Sequence, residues 1–175
     1  KLDKNNHVNL ITENIAPQLL VAVIDKIPSI VYWKNKKGVY LWHNTLSEKD
    51  RQKYQWPYTT IAGKTDYDLF PQNVAKKYRR HDLEVMRSGS RVIIEETRYS
   101  LTGEAYIQLS YKNALKDRQG KIIGIIGNLI DITAIRNGKM QLTGSVSMDN
   151  LQIYLNEPLK EISLLINLLA INTDK

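Results

Sequence analysis

The stretch VYWKNKKGVYLWHN, residues 31–44, sets four large aromatic rings among lysines around a single glycine, Gly38. Two kinds of chemistry suit those residue types. Rings interleaved with lysines can stack on bases and neutralise phosphates, or the rings can face a core while the lysines stay wet. The second fits better, because the basic residues of this chain are scattered. Lys34, Lys36 and Lys37 fall in one turn, Lys76, Lys77, Arg79 and Arg80 in another segment, and the rest are isolated. The net charge of +7 therefore does not assemble into a stripe. Nucleic acid is not expected as a partner, and the three lysines are read as solvated.

Other reactive chemistry is sparse. The chain has no cysteine, which removes disulfides, thiolate metal sites and cysteine nucleophiles together and fits a reducing, cytoplasmic setting. His7 and His43 stand far apart, without an acidic or histidine partner at metal-ligand spacing, and His81 lies in a polar run between Arg80 and Asp82. No metal site is expected. The glycines of GIIGN, residues 124–128, sit inside an apolar strand and not in a phosphate-cradling loop. With no nucleophile–base pair in view, the chain is expected to be non-catalytic. Its longest apolar run, LLVAVI at residues 19–24, is cut by Asp25, Lys26 and Pro28, far short of a bilayer crossing. No signal-peptide pattern is visible. The chain opens on Lys1, as a soluble piece of a longer protein would, so a membrane anchor in the parent stays open.

The elements that must position any site are legible in outline. With 42% apolar and 25% charged residues the composition is globular. Val8, Ile11, Ile15, Leu19, Ala22, Val23 and Ile24 recur at helical spacing, with Pro17 opening a second helical piece. SIVYWK and VYLWHN flank the turn signal NKKG and read as a β-hairpin. TLSEKDRQKYQW reads as a short polar helix. QNVAKKYRRHDLEVMRSG reads as a longer helix with Val74, Tyr78, Asp82, Val85 and Met86 on one face and Gly89 as its stop. Three strands follow, RVIIEETRYS, EAYIQLSYKNAL and KIIGIIGNLIDIT. In the middle one Ile107, Leu109 and Tyr111 alternate with Gln108, Ser110 and Lys112, which predicts one dry and one wet face. The last is apolar on both faces, with Ile123, Ile125 and Leu129 on one side and Ile122, Ile126 and Ile130 on the other, so it needs cover on both sides. The N-terminal helix is the expected second cover. The order predicts an α+β domain with a five-stranded antiparallel sheet.

This order and four of its motifs resemble the PAS domain, a sensory module of signalling proteins, over residues 27–133. VYWKNKKGVYLWHN is similar to the family's first hairpin and its closing asparagine, here Asn44. IAGKTDYDLFP matches the following helical stretch through Gly63, Lys64 and the Leu69, Phe70, Pro71 ending. HDLEVMRSG matches the end of the long helix through Asp82, Val85 and Gly89. GKIIGIIGNLIDIT matches the final strand and the Asp131 to Thr133 signature that joins the core to an output helix. The resemblance implies residues 1–26 as an N-terminal helical cap, 27–133 as the PAS core, 134–147 as a linker and 148–175 as an amphipathic output helix.

The resemblance also implies a small cavity over the concave face of the sheet. Its candidate lining is Trp33, Tyr78, Met86 and Arg98, with Ile107, Leu109 and Tyr111 from the middle strand and Ile125 and Leu129 from the last. Light-sensing relatives need a cysteine beside flavin, so that chemistry is excluded here. In haem-binding relatives the ligand position falls on the long helix, here at Tyr78 with His81 nearby. A tyrosine at an apolar helix position ordinarily packs, and haem is not expected. Haem-sensing relatives also turn a strand arginine inward, here Arg98. If buried it needs an anion, either Glu96 one strand period away or the carboxylate of a small organic acid; a solvated or internally paired strand arginine is the leading expectation.

In the tail Leu151, Tyr154, Leu155, Leu159, Ile162, Leu165, Ile166 and Leu169 recur at three- and four-residue steps. A lone helix would leave that stripe wet, so a partner helix and hence a homodimer are expected. NLQIYLNEPLKEI is more faintly similar to the phosphoacceptor box of histidine kinases, through Asn150, Pro158, Leu159 and Ile162. Its acceptor position holds Ile153, which has no nucleophile. The leading expectation is a PAS input domain, with a sensor histidine kinase as its expected parent, that couples a small ligand or a partner to the C-terminal helix through Asp131 and Thr133. The alternative is a ligand-free interaction and dimerisation module.

Overall fold

A computed structural model of the chain describes residues 17–27, 29–44, 60–99, 103–117 and 119–138. Within them a short helix α1 (Pro17–Ile24) leads into strands β1 (Ile30–Asn35) and β2 (Tyr40–His43). A single turn α2 (Asp66–Leu69) and the long α3 (Gln72–Ser88) follow. Strands β3 (Val92–Tyr99), β4 (Ala105–Lys116) and β5 (Ile122–Asp131) then lead to a final turn α4 (Thr133–Arg136). The strands form one antiparallel sheet in the order β2-β1-β5-β4-β3, so the first and last strands lie side by side at its centre. The α+β, PAS-like architecture expected from the sequence is the observed one. The expected polar helix at residues 45–56 and the tail stripe, Leu151, Leu155, Leu159, Ile162, Ile166 and Leu169, lie outside the described residues.

Local chemistry explains the turns. Asn35 closes the β1–β2 hairpin by accepting from Lys37 N and Val39 N through its side chain, at 2.9 and 3.1 Å. Gly38 takes φ +86° there, a region that side chains avoid. Asn44 joins three elements: its Oδ1 accepts from Val31 N at 2.8 Å, and its Nδ2 donates to Ser29 O at 2.8 Å and toward Ile24 O. Helix α3 ends where Gly89 adopts φ +66° and its N–H bonds to Val85 O.

The sheet carries a different layer on each face. On one face Ile24 of α1 meets Val31, Leu115 and Ile126, all buried, with Trp33 stacked on Trp42 at 4.5 Å between ring centroids. On the other Val85 of α3 and Ile61 meet Tyr32, Tyr40, Ala114 and Ile125. Strict alternation does not place the residues of β5. A register shift opposite Leu115 and Lys116 puts Ile122 and Ile125 in the α3 layer and Ile123 and Ile126 in the α1 layer. A bulge reverses the side-chain parity on one side of itself, which a period-two reading cannot anticipate. The two strand glycines are spacers. A Cβ on Gly124 would stand 2.0 Å from Lys34 O, and one on Gly127 would stand 2.2 Å from the Tyr32 ring.

Candidate ligand cavity

The face of the sheet toward α2 and α3 is not closed by apolar packing alone. A cavity of about 60 Å³ opens there, the liquid volume of about two waters. Strand β4 faces it with Tyr106, Gln108, Ser110 and Lys112, and β3 with Glu96 and Arg98. Strand β1 adds Ile30, Tyr32 and Lys34, β2 adds Tyr40 and His43, and β5 adds Leu129. Ile61, Asp66, Phe70 and Tyr78 close the helical side.

The floor of this cavity is a buried charge network. Lys34, 1% exposed, reaches Asp66 Oδ2 at 2.6 Å and Asp82 Oδ2 at 2.9 Å. Lys112 reaches Asp82 Oδ1 at 2.5 Å, and the Tyr40 hydroxyl donates to Asp66 Oδ1 at 2.9 Å. Each carboxylate oxygen thus accepts a bond, as buried charge requires. The Lys34 ammonium also sits 4.4 Å from the Tyr40 ring centroid. Burial pushes the Tyr32 and Tyr40 hydroxyls well above the usual phenol range, with the nearby Asp82 and Asp66 adding to the rise at Tyr32 and Tyr32 and Asp66 to that at Tyr40. Burial lowers the Lys112 ammonium, and Asp82 opposes the shift.

The wall above this floor centres on Arg98. Its guanidinium donates to the Tyr78 hydroxyl and, at 3.5 Å, toward Gln108 Oε1. It lies 5.1 Å from the Tyr78 ring centroid and 5.3 Å from that of Phe70, two rings that meet edge to face. Glu96, one of the two anions considered for Arg98, pairs instead with Lys77 at 2.6 Å. At the same end of β4 as Arg98, Thr133 Oγ1 accepts from Ile107 N and Asp131 Oδ1 accepts from Thr133 N, both at 2.8 Å. Arg136 pairs with Glu95, so α4 is tied to β4 and β3 at once.

The sequence-based lining needs correction. Tyr78, Arg98 and Leu129 face the cavity. Met86 and Ile125 pack in the same layer without lining it. Trp33 stands on the opposite face, against Trp42 and the α1 layer. Ile107, Leu109 and Tyr111 alternate with the cavity-facing Gln108, Ser110 and Lys112 and so point the same way as Trp33. The "wet" face of β4 is the cavity face: Gln108, Ser110 and Lys112 are each at most 6% exposed. Lys34 is likewise buried, whereas Lys36 and Lys37 in the turn are exposed. One signal could have exposed the error. Asp82 falls on the apolar stripe of α3, four residues after Tyr78 and three before Val85, and a carboxylate there requires a buried cation.

The family of PAS-fold domains matches residues 24–137 of the chain. Among curated proteins, a diguanylate cyclase of Vibrio cholerae is 28% identical over 148 residues, which are 83% of this chain and 45% of that protein. The methanogenesis regulatory histidine kinase FilI of Methanothrix harundinacea is 26% identical over 120 residues, 69% of this chain and 13% of that protein. The chain thus spans less than half the length of either. Of solved structures, the Vibrio cholerae VqmA–ligand–DNA complex superposes with a TM-score of 0.57 at 17% identity, covering 78% of this chain and 63% of that one. The PAS domain of Bordetella pertussis BvgS superposes with 0.54 at 18% identity, covering 82% and 96%. Among the described residues no helix is long and apolar enough to cross a membrane. With the family matched along most of its length and the five strands in place, the chain belongs to the PAS-fold family.

Proposed function

We propose that this chain is a non-catalytic sensory input module of a cytoplasmic signalling protein, and that its cavity takes up a small molecule. The observation that carries the reading is the cavity's polar lining. A core formed only for stability has no use for Lys34, Lys112, Asp66 and Asp82 beneath an open space, because apolar residues of equal volume would do as well or better. Occupancy must favour one arrangement of the core over another if anything is to be transmitted. The route suited to that is β4, which lines the cavity through Gln108 and Ser110 and bonds Thr133 through the Ile107 amide. From Thr133 the signal would pass to the tail, whose apolar stripe suits a homodimer. The parent protein is a sensor histidine kinase in this reading, a choice supported by the kinase relative. The cyclase relative makes a cyclic-dinucleotide enzyme the competing output.

Arg98 bonded to Tyr78 and Gln108 from within favours a second reading, in which the module is complete without a ligand and serves only for association. Native mass spectrometry of the purified chain separates the two. A mass excess that disappears on denaturation supports the sensory reading. Bare dimers, with no excess after incubation with cell metabolite extract, support the second and overturn the first.

A further inference from the structure

The sequence holds two basic segments, Lys36 with Lys37 and Lys76 to Arg80, and the fold joins them. Arg79 leaves α3 and lies on the β1–β2 turn, where its Nη2 donates to Lys36 O at 2.7 Å across 43 residues of chain. Its Nη1 is buried over Gly38, where an added Cβ would stand 3.1 Å from that nitrogen. A glycine in the turn is therefore what lets the guanidinium come so close. The bond goes to a neutral carbonyl, so the contact fixes the geometry and leaves the charge in place.

Residues three and four apart are neighbours on a helix surface. Lys76, Arg80, Leu83 and Arg87 thus continue from Arg79 as one exposed row along α3, with the exposed Lys36 and Lys37 beside it. Among the described residues none of these cations is in an ion pair. Lys77, on the other flank of the helix, is different and pairs with Glu96. Glu84 is the one exposed carboxylate of α3. Leu83, 49% exposed, stands in the middle of the row. Cations set side by side without counter-charges repel one another, a cost to the fold that an acidic partner would reverse.

We propose that the outer row of α3 and the β1–β2 turn together dock an acidic segment of another protein. Its carboxylates would lie against Lys36, Lys37, Arg80 and Arg87, and an apolar side chain of the segment against Leu83. A second copy of this chain does not suit the surface, because each copy carries a net charge of +7. Nucleic acid suits it less, because the row presents no aromatic ring on which a base could stack and sets Leu83 against the backbone. None of these residues lines the cavity, so the docking stands or falls independently of what the cavity holds.

The test follows fluorescence anisotropy as the full chain is titrated into labelled probes at about 0.15 M salt, where charges beyond roughly 8 Å are screened. The probes are an acidic peptide of repeated Glu-Leu-Glu-Glu units, the same peptide with Gln for every Glu, and a DNA duplex. Phosphatidylserine vesicles serve as competitor. The expected result is saturable binding of the acidic peptide, none of its Gln version, weaker binding of the duplex and no displacement by vesicles. Arg80→Glu should weaken the acidic peptide at least about tenfold, because it turns an attraction into a repulsion. Lys26→Glu, an equal change of net charge in the exposed link between α1 and β1, should change it by less than about twofold. Leu83→Ser should weaken it several-fold through the lost apolar contact. Circular dichroism and Tm report whether each variant is folded, and Arg87→Glu replaces Arg80→Glu if that one is not. Equal losses from Arg80→Glu and Lys26→Glu would mean that binding follows net charge, and would overturn the surface. Tighter binding of the duplex, or displacement by the vesicles, with the same dependence on Arg80 would overturn the protein segment as occupant. No binding of the acidic peptide would overturn the proposal outright.

Discussion

On β4, Leu115 is 2% exposed in an all-apolar layer with Val31, Ile126 and Ile24, whereas Lys112, three residues earlier and 3% exposed, ends against a carboxylate. The same strands therefore carry two layers that are equally dry and opposite in chemistry. The layer against α1 holds the fold by area, each large side chain contributing about 1.5–3 kcal/mol on leaving water. The layer against α2 and α3 holds it by pairing. Pairs of that kind stabilise little over an apolar replacement, yet are expensive to break. The difference assigns the roles. One face can lose atoms without losing specificity, and the other surrounds the cavity above its charged floor.

Four experiments press on that contrast. The sharpest is Asp82→Leu, which strands Lys112 and leaves Lys34 with Asp66 alone. Urea denaturation should show a loss of about 3–5 kcal/mol, with most of it recovered when Lys34, Asp66 and Lys112 are replaced by Met, Leu and Met as well. A single substitution no worse than a surface change would mean that the network is not dry. Leu115→Ala on the other face should lose about 2–5 kcal/mol from the cavity it leaves. Because it is remote from the lining, it should not alter the affinity for a small molecule bound in the cavity. A parallel loss of affinity would show that the two layers are coupled.

Gly127→Ala lies between the layers in kind. It drives a Cβ into the Tyr32 ring and should cost about 1–3 kcal/mol by overpacking, and a paired Tyr32→Leu change should relieve it. The smallest effect concerns the surface turn before α2. Thr65 donates its N–H and its hydroxyl to Asp68, both at 2.7 Å, and these bonds hold the Asp68 carboxyl below its usual range, backbone bond first. The folded value lies below the unfolded one, so the contribution is complete above the unfolded value, near 3.8, and fades as pH falls through the folded value. Asp68→Asn should therefore be slightly less stable than the parent at pH 7, with the gap closing in acid. A gap that widens in acid would reverse the assignment.

Much of the fold was legible before any coordinates. The hairpin at Asn35 and Gly38, the stop at Gly89 and the alternation of β4 are local features, in which turn chemistry and period act within a few residues. The cavity was legible only at Tyr78, Arg98 and Leu129. Trp33, Ile107, Leu109 and Tyr111 were assigned to it because large apolar side chains suggest a pocket and polar ones suggest water. In β5, one bulge was enough to reverse the parity on which the assignment of Ile123 and Ile125 to a common face rested.

The sequence by itself determined the order of the elements, the antiparallel sheet and the absence of cysteine chemistry, because periodicity, turn residues and composition are properties of short windows or of the whole count. Only the tertiary structure decided which face of β4 lines the cavity. Lys34 and Lys112 are polar residues of ordinary strands until α2 and α3 bring Asp66 and Asp82 against them, partners 32 and 30 residues away in the chain. A charge is stable in a dry interior only beside its counter-charge. Where that counter-charge lies is fixed by how helix and sheet meet, which no window of the sequence contains.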